Sequence, residues 1–174
     1  ADIADILALT QALAKTAGAE ILAARGESLS SDFKNGEELV TNADLQADEI
    51  ITNAIKKQYP DHDIISEESA PQPDLQRLQK HPTWIIDPID GTVNYAHGHQ
   101  QSAVSIAFVR DGEIQSGVVY NPFNDELFSA VRGQGAWLNG AEIEVSQEQT
   151  LRRAIIATGF PYGKDEIPES ENAF

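Results

Sequence analysis

The chain has 174 residues, with 12 Lys and Arg against 28 Asp and Glu, for a formal net charge of −16. Hydrophobic residues make up 41%, enough for one domain with a sizeable core, or one domain plus part of another. A surface this acidic repels nucleic acid and anionic lipid, and the absence of cysteine excludes disulfides, thiolate catalysis and Cys-ligated zinc.

Ile6, Leu9, Leu13, Ala17 and Ile21 recur at three- and four-residue steps and predict a first helix, with Gly26 as its stop. A polar loop over Ser28 to Glu38 contains the turn pair Asn35-Gly36. A second helix is expected from about Ala43 to Gln58, ended by Pro60, with Ala47, Ile50, Ile51, Ala54 and Ile55 on one face. Asp63–Ser66 reads as a short strand, Pro71 to His81 as a polar excursion, and Trp84-Ile85-Ile86 as an apolar run entering Asp87-Pro88. Ser102–Arg110, Ile114–Tyr120 and Glu126–Val131 follow as strands of an antiparallel meander with hairpin turns. Two more short strands are expected near Ala136–Leu138 and Ile143–Val145, and another at Ala154–Thr158. Two helices followed by hairpin-linked strands predict an α+β fold, with the helices packed on a large antiparallel sheet. Pro161–Ser170 reads as a polar loop, and Ser170 suits the N-cap of a helix beginning near the end of the chain.

The longest contiguous apolar run, Ala103 to Val109 with one serine, is too short to cross a bilayer. The first residues include Asp2 and Asp5 and no basic cluster, unlike a signal peptide. A cytoplasmic protein with no membrane partner is the expectation.

The strongest chemical signal is Asp87-Pro88-Ile89-Asp90-Gly91-Thr92. Pro88 fixes its own φ and Gly91 permits a tight turn. Such a turn can aim two carboxylates, the Ile89 carbonyl and the Thr92 hydroxyl into one space. These are hard oxygen donors, suited to Mg²⁺ or Mn²⁺. The same residues also suit a turn with two solvated aspartates. Ser66-Glu67-Glu68-Ser69, after the preceding strand, can add a carboxylate or form an exposed acidic loop. In Leu39-Val40-Thr41-Asn42-Ala43-Asp44, Thr41 and Asp44 are spaced as an N-cap and its N3 acid. Asp44 can also partner a hydroxyl or water, and both roles can hold. His97-Gly98-His99 lacks a third ligand motif, and Gly133-x-Gly135 lacks the pattern of a dinucleotide loop. Trp84 and Trp137 read as core residues, and Lys34 as a solvated loop residue.

Three of these motifs in order, Leu39–Asp44, Ser66–Ser69 and Asp87–Tyr95, resemble the inositol monophosphatase family, and its bacterial members most. The resemblance continues through Ala103–Ala107, Gly117–Pro122, Gly133–Ala136 and Ala157–Pro161, and so covers nearly the whole chain. It implies a Mg²⁺-dependent, lithium-sensitive phosphatase acting on inositol monophosphate or a similar small sugar phosphate, with two or three Mg²⁺ ions, or Mn²⁺. It further implies metal ligation by Glu67, Asp87 and Asp90 and by the Ile89 carbonyl. Thr92, with Asp44 as its acidic partner, would orient the attacking water, with Glu67 counted in the catalytic set. Gly91 and Thr92 would hold phosphate through their amides, and Asp90 would contact a substrate hydroxyl.

The family fold is a layered α/β/α/β/α sandwich. By resemblance, residues 1–160 form an N-terminal metal-binding α+β domain, and 161–174 a linker and the start of a C-terminal α/β domain. Family members continue into a second half carrying a Trp-Asp-x-Ala-Ala-Gly-like motif, whose Asp is a further metal ligand; that motif does not occur in this sequence. The resemblance also implies a homodimer and no direct nucleic-acid contact. It leaves open a superfamily phosphatase for fructose 1,6-bisphosphate or a nucleotide 3′-phosphate, or a non-catalytic regulatory or binding module.

Overall fold

The computed structural model describes residues 2–28, 36–68, 78 and 80–158. They divide into one compact unit through Ile143 and a second that starts at Glu144. The first unit opens with helices α1 (Ile3–Ser28) and α2 (Gly36–Gln58), followed by β1 (Asp63–Ser66) and β2 (Thr83–Asp90). After the short helix α3 (Thr92–Ala96) come β3 (Ala103–Arg110), β4 (Glu113–Asn121), β5 (Glu126–Val131), β6 (Gly135–Leu138) and β7 (Ala141–Ile143).

The seven strands form one sheet in sequence order; β1 and β2 are parallel and every later pair is antiparallel. The expected α+β fold and meander are therefore both present. Alternation along the strands sorts side chains between two faces. Trp84, Ile86, Val104, Ile106, Phe108, Val118 and Leu127 point into a core shared with Ile6, Leu13, Ala17 and Ile21 of α1 and Ala47, Ile51 and Ile55 of α2. Ile85, Val119 and Phe128, from the alternate positions, remain partly exposed on the opposite face.

Over Ile3–Arg25, α1 is long and apolar enough by length and composition to cross a membrane. Its apolar face is spent on this core, which is how a core helix passes the same test. At the start of β1 and β2, Tyr59, His62, Trp84 and Phe108 stack into an aromatic cluster. Trp84 is fully buried there and donates its indole N–H to His62 Nδ1 at 3.0 Å. Trp137 is only half-buried, on β6.

Several boundaries differ from the sequence expectation. Helix α1 runs through Gly26 to Ser28, since a single glycine costs a helix only about 1 kcal/mol. Helix α2 begins at Gly36 rather than near Ala43, so Thr41 lies inside the helix and is not its N-cap. Val145 lies outside β7 and is exposed, and Ala154–Thr158 forms no strand; Ile155 and Ile156 are exposed there. Helix α3 was not anticipated. Lys34, Ser69 and the expected loop and helix start over 161–174 lie outside the described residues.

Candidate active site

The site lies at the C-terminal ends of β1 and β2. Parallel pairing sets Ser66 beside Ile86, and the Glu67 N–H donates to the Ile86 carbonyl at 3.1 Å. That bond carries the chain past the strand end and brings Glu67 alongside Asp87, whose carboxyl shares a hydrogen bond with it. Beyond Asp87 the register shifts: Asp87 pairs with Ser105 but Asp90 with Ala103, so β2 carries one extra residue. Such a bulge bends the strand and re-aims its side chains. The Asp-Pro-Ile-Asp segment is therefore a bulged strand end rather than a free turn. Ile89 is buried in the core by its side chain, so any polar role it has falls to its backbone.

The turn expected at Gly91 is present. Its φ of +88° is left-handed, and a Cβ there would meet the Gln101 carbonyl oxygen at 2.8 Å. Ser102 donates its hydroxyl to the Gly91 carbonyl at 3.0 Å. Helix α3 starts at Thr92, and the amides of its first turn have no acceptor within the helix.

Helix α2 closes the site from the side. Asp44, Asp48 and Thr52 follow at four-residue steps and are all buried. Ser66 donates a hydrogen bond to Asp48. Asp44 is held up at a pKa of about 7, first by burial and then by the charges of Glu68, Asp87, Glu67 and Asp48. Asp87 is also pushed up to about 7, first by burial, then by Glu67 and Asp90 and by its hydrogen bond with Glu67; the Ile89 N–H pulls the other way. Glu68 is raised too, by burial and by its neighbours Glu67 and Asp48.

The structure thus brings Asp44, Glu67, Asp87 and Asp90 into one electrostatic field, together with Glu68 of the Ser66–Ser69 signal, and adds Asp48, which sequence reasoning missed. Asp48 was legible as the residue one turn beyond Asp44, once α2 is known to start early. Among the described residues, no three acidic or imidazole groups are drawn into a ready-made metal cage. One oxygen nevertheless fits a cation. Asp87 Oδ1 is buried and has no hydrogen-bond partner. A buried acceptor without a donor is costly, and a hard divalent cation is the partner that an all-oxygen set suits. His97 and His99 stay outside the site. His97 Nδ1 is bonded to the Val93 carbonyl, and His99 Nδ1 accepts from the Gln101 N–H.

Fold and site together define an α+β protein with an acidic centre at the ends of two parallel strands, in which Asp44 and Asp48 are buried and Glu67 and Asp90 exposed. The chain belongs to the inositol monophosphatase family, whose sequence profile matches residues 2–173. It is 41% identical over 138 residues to the Nus factor SuhB of Pasteurella multocida, covering 79% of this chain and 51% of that protein. It is 40% identical over 156 residues to an inositol monophosphatase of Mesembryanthemum crystallinum, covering 90% and 58%. Its fold matches the crystal structure of inositol monophosphatase-II from Staphylococcus aureus, with a TM-score of 0.76 and 30% identity, over 85% of this chain and 53% of that one. The chain therefore spans about half the length of these relatives.

Proposed function

We propose that this chain is the metal-binding part of a Mg²⁺-dependent phosphate-monoester hydrolase acting on inositol monophosphate or a similar small sugar phosphate. The observation that carries the reading is the buried Asp87 Oδ1, without a hydrogen-bond partner among the described residues, beside Glu67 at the start of the Asp-Pro-Ile-Asp segment. Glu67, Asp87, Asp90 and the Ile89 carbonyl would hold Mg²⁺. Bound there, the metal offsets phosphate charge and lowers the pKa of water. Asp44 takes up the proton as water attacks phosphorus, and Thr92 orients that water through its hydroxyl. The Gly91 and Thr92 amides receive phosphate oxygens, and Asp90 accepts a hydrogen bond from a substrate hydroxyl. The phosphorus–oxygen ester bond breaks, and the alcohol leaves with a proton. The net charge of −16 repels a phosphate ester until cations occupy this centre. The proposal includes a cytoplasmic homodimer.

The test is phosphate release from inositol 1-phosphate by the 174-residue chain, with and without Mg²⁺ and with Li⁺ added. Mg²⁺-dependent, Li⁺-inhibited turnover that Asp90→Asn removes, with folding intact, supports the reading. Faster turnover of fructose 1,6-bisphosphate or adenosine 3′,5′-bisphosphate redirects it within the superfamily. A folded chain without turnover refutes the claim that these residues suffice.

A second reading comes from the relative named a Nus factor: a module that binds a protein partner without catalysis. Mg²⁺ binding by calorimetry with no turnover of any of these esters favours it.

A further inference from the structure

Helix α3 carries Thr92 at its first position, yet it has only five residues, too few to hold its own direction. Its far end is fixed from α1. Arg25 donates a guanidinium hydrogen bond to the Tyr95 carbonyl. The same guanidinium lies 5.5 Å from the Tyr95 ring centre and 5.6 Å from that of Phe123. Gly98 follows α3 with a left-handed φ of +85°, and a Cβ there would sit 2.7 Å from Arg25 Nη2, so a side chain at this position would displace the guanidinium. The Tyr95 hydroxyl returns to α1, donating to the Ile21 carbonyl at 3.0 Å. A cation at a helix C-terminus is favourable, and two aromatic faces add to it.

We infer that Arg25 is a positioning residue: by clamping the C-terminal end of α3, it sets the place of the Gly91–Thr92 amides, and hence of phosphate. This rests on the phosphate-binding role proposed above. Its contact with α3 runs through the Tyr95 carbonyl and ring.

The experiment uses the whole 174-residue chain with Arg25→Ala and Arg25→Lys. The first readout is amide exchange at Tyr95 and His97, whose N–H groups bond to Gly91 and Val93 within α3. In Arg25→Ala, exchange there is expected to rise about tenfold, while Ile106 and Val118 in the sheet keep their protection. The second is the shift of the Thr92 amide on titration with inorganic phosphate in Mg²⁺. Its Kd is expected to rise about tenfold in Arg25→Ala, to recover with added guanidinium but not with NaCl of equal ionic strength, and to stay raised in Arg25→Lys, which lacks the planar fork.

Unchanged exchange at Tyr95 and His97 overturns the proposal, and so does a changed exchange with a phosphate Kd within about twofold of the parent. If the parent chain gives no phosphate response at all, the phosphatase reading fails and the inferred role in placing phosphate falls with it. The exchange data then report only whether Arg25 clamps α3.

Discussion

Ser66, the last residue of β1, donates its hydroxyl to the carboxylate of Asp48 on α2, and both groups are buried. This bond joins helix to strand one residue before Glu67. In Ser66→Ala, a buried carboxylate loses its donor, which costs about 1–3 kcal/mol. Urea unfolding should show that loss in the midpoint at an unchanged m-value. Asp48→Asn, which keeps a hydrogen-bonding group, should cost less.

Metal-free stability should fall as pH rises. Asp44 and Asp87 have pKa values of about 7 when folded, against an ordinary value of 3.8. The folded state therefore holds protons that the unfolded state has released. This contribution is fully present below about pH 4 and is lost as pH rises through about 7. In chelator, the melting midpoint should be lower at about pH 8 than at about pH 5.5. Asp44→Asn should flatten that slope, and an unchanged slope would show that the carboxyls do not titrate in this window.

Added Mg²⁺ should reverse the trend. Protons and cations compete for the same oxygens, so thermal stabilisation by Mg²⁺ should be larger at the higher pH. At a free concentration near 100 times its Kd, binding adds about 2.7 kcal/mol. Glu67→Gln and Asp87→Asn should each cut the Mg²⁺ shift in differential scanning calorimetry. His97→Ala should leave it unchanged, since that ring is engaged with Val93 outside the centre.

Gly91→Ala should be the most damaging small substitution near the site. It forces a side chain into φ +88° and a Cβ to 2.8 Å from the Gln101 backbone oxygen. Strain of this kind costs about 1–3 kcal/mol, before the backbone clash is added. Gly117→Ala, where a Cβ meets nothing within 4 Å, is the matched control in the sheet. Parallel thermal melts of the two variants separate the effect of position from that of residue type.

The meander was legible because hairpin pairs such as Asp111-Gly112 punctuate alternating strands, and a period of two survives local variation. The end of the first helix and the start of the second were not. Gly26 carries a stop signal that the helix runs through, and Thr41 and Asp44 imitate a cap from inside a helix. That imitation hid Asp48, since the i to i+4 stack of acids becomes visible only when both residues share one helix. The acidic centre itself was announced by the Asp-Pro-Ile-Asp spacing. The bulge that shapes it depends on pairing with Ser105 and Ala103, which no local pattern encodes. Arg25 was invisible for the same reason: its partners lie about 70 and 100 residues along the chain.

The sheet face that carries Ile85, Val119 and Phe128 has a further consequence for the molecule in solution. Its apolar side chains favour contact between copies, while a charge of −16 keeps those copies apart. The repulsion reaches about 30 Å in 0.01 M salt but only about 8 Å at physiological ionic strength. Dispersal of this chain is therefore a property of the buffer as much as of the fold: ordinary salt shortens the reach of the repulsion and lets apolar contact compete with it.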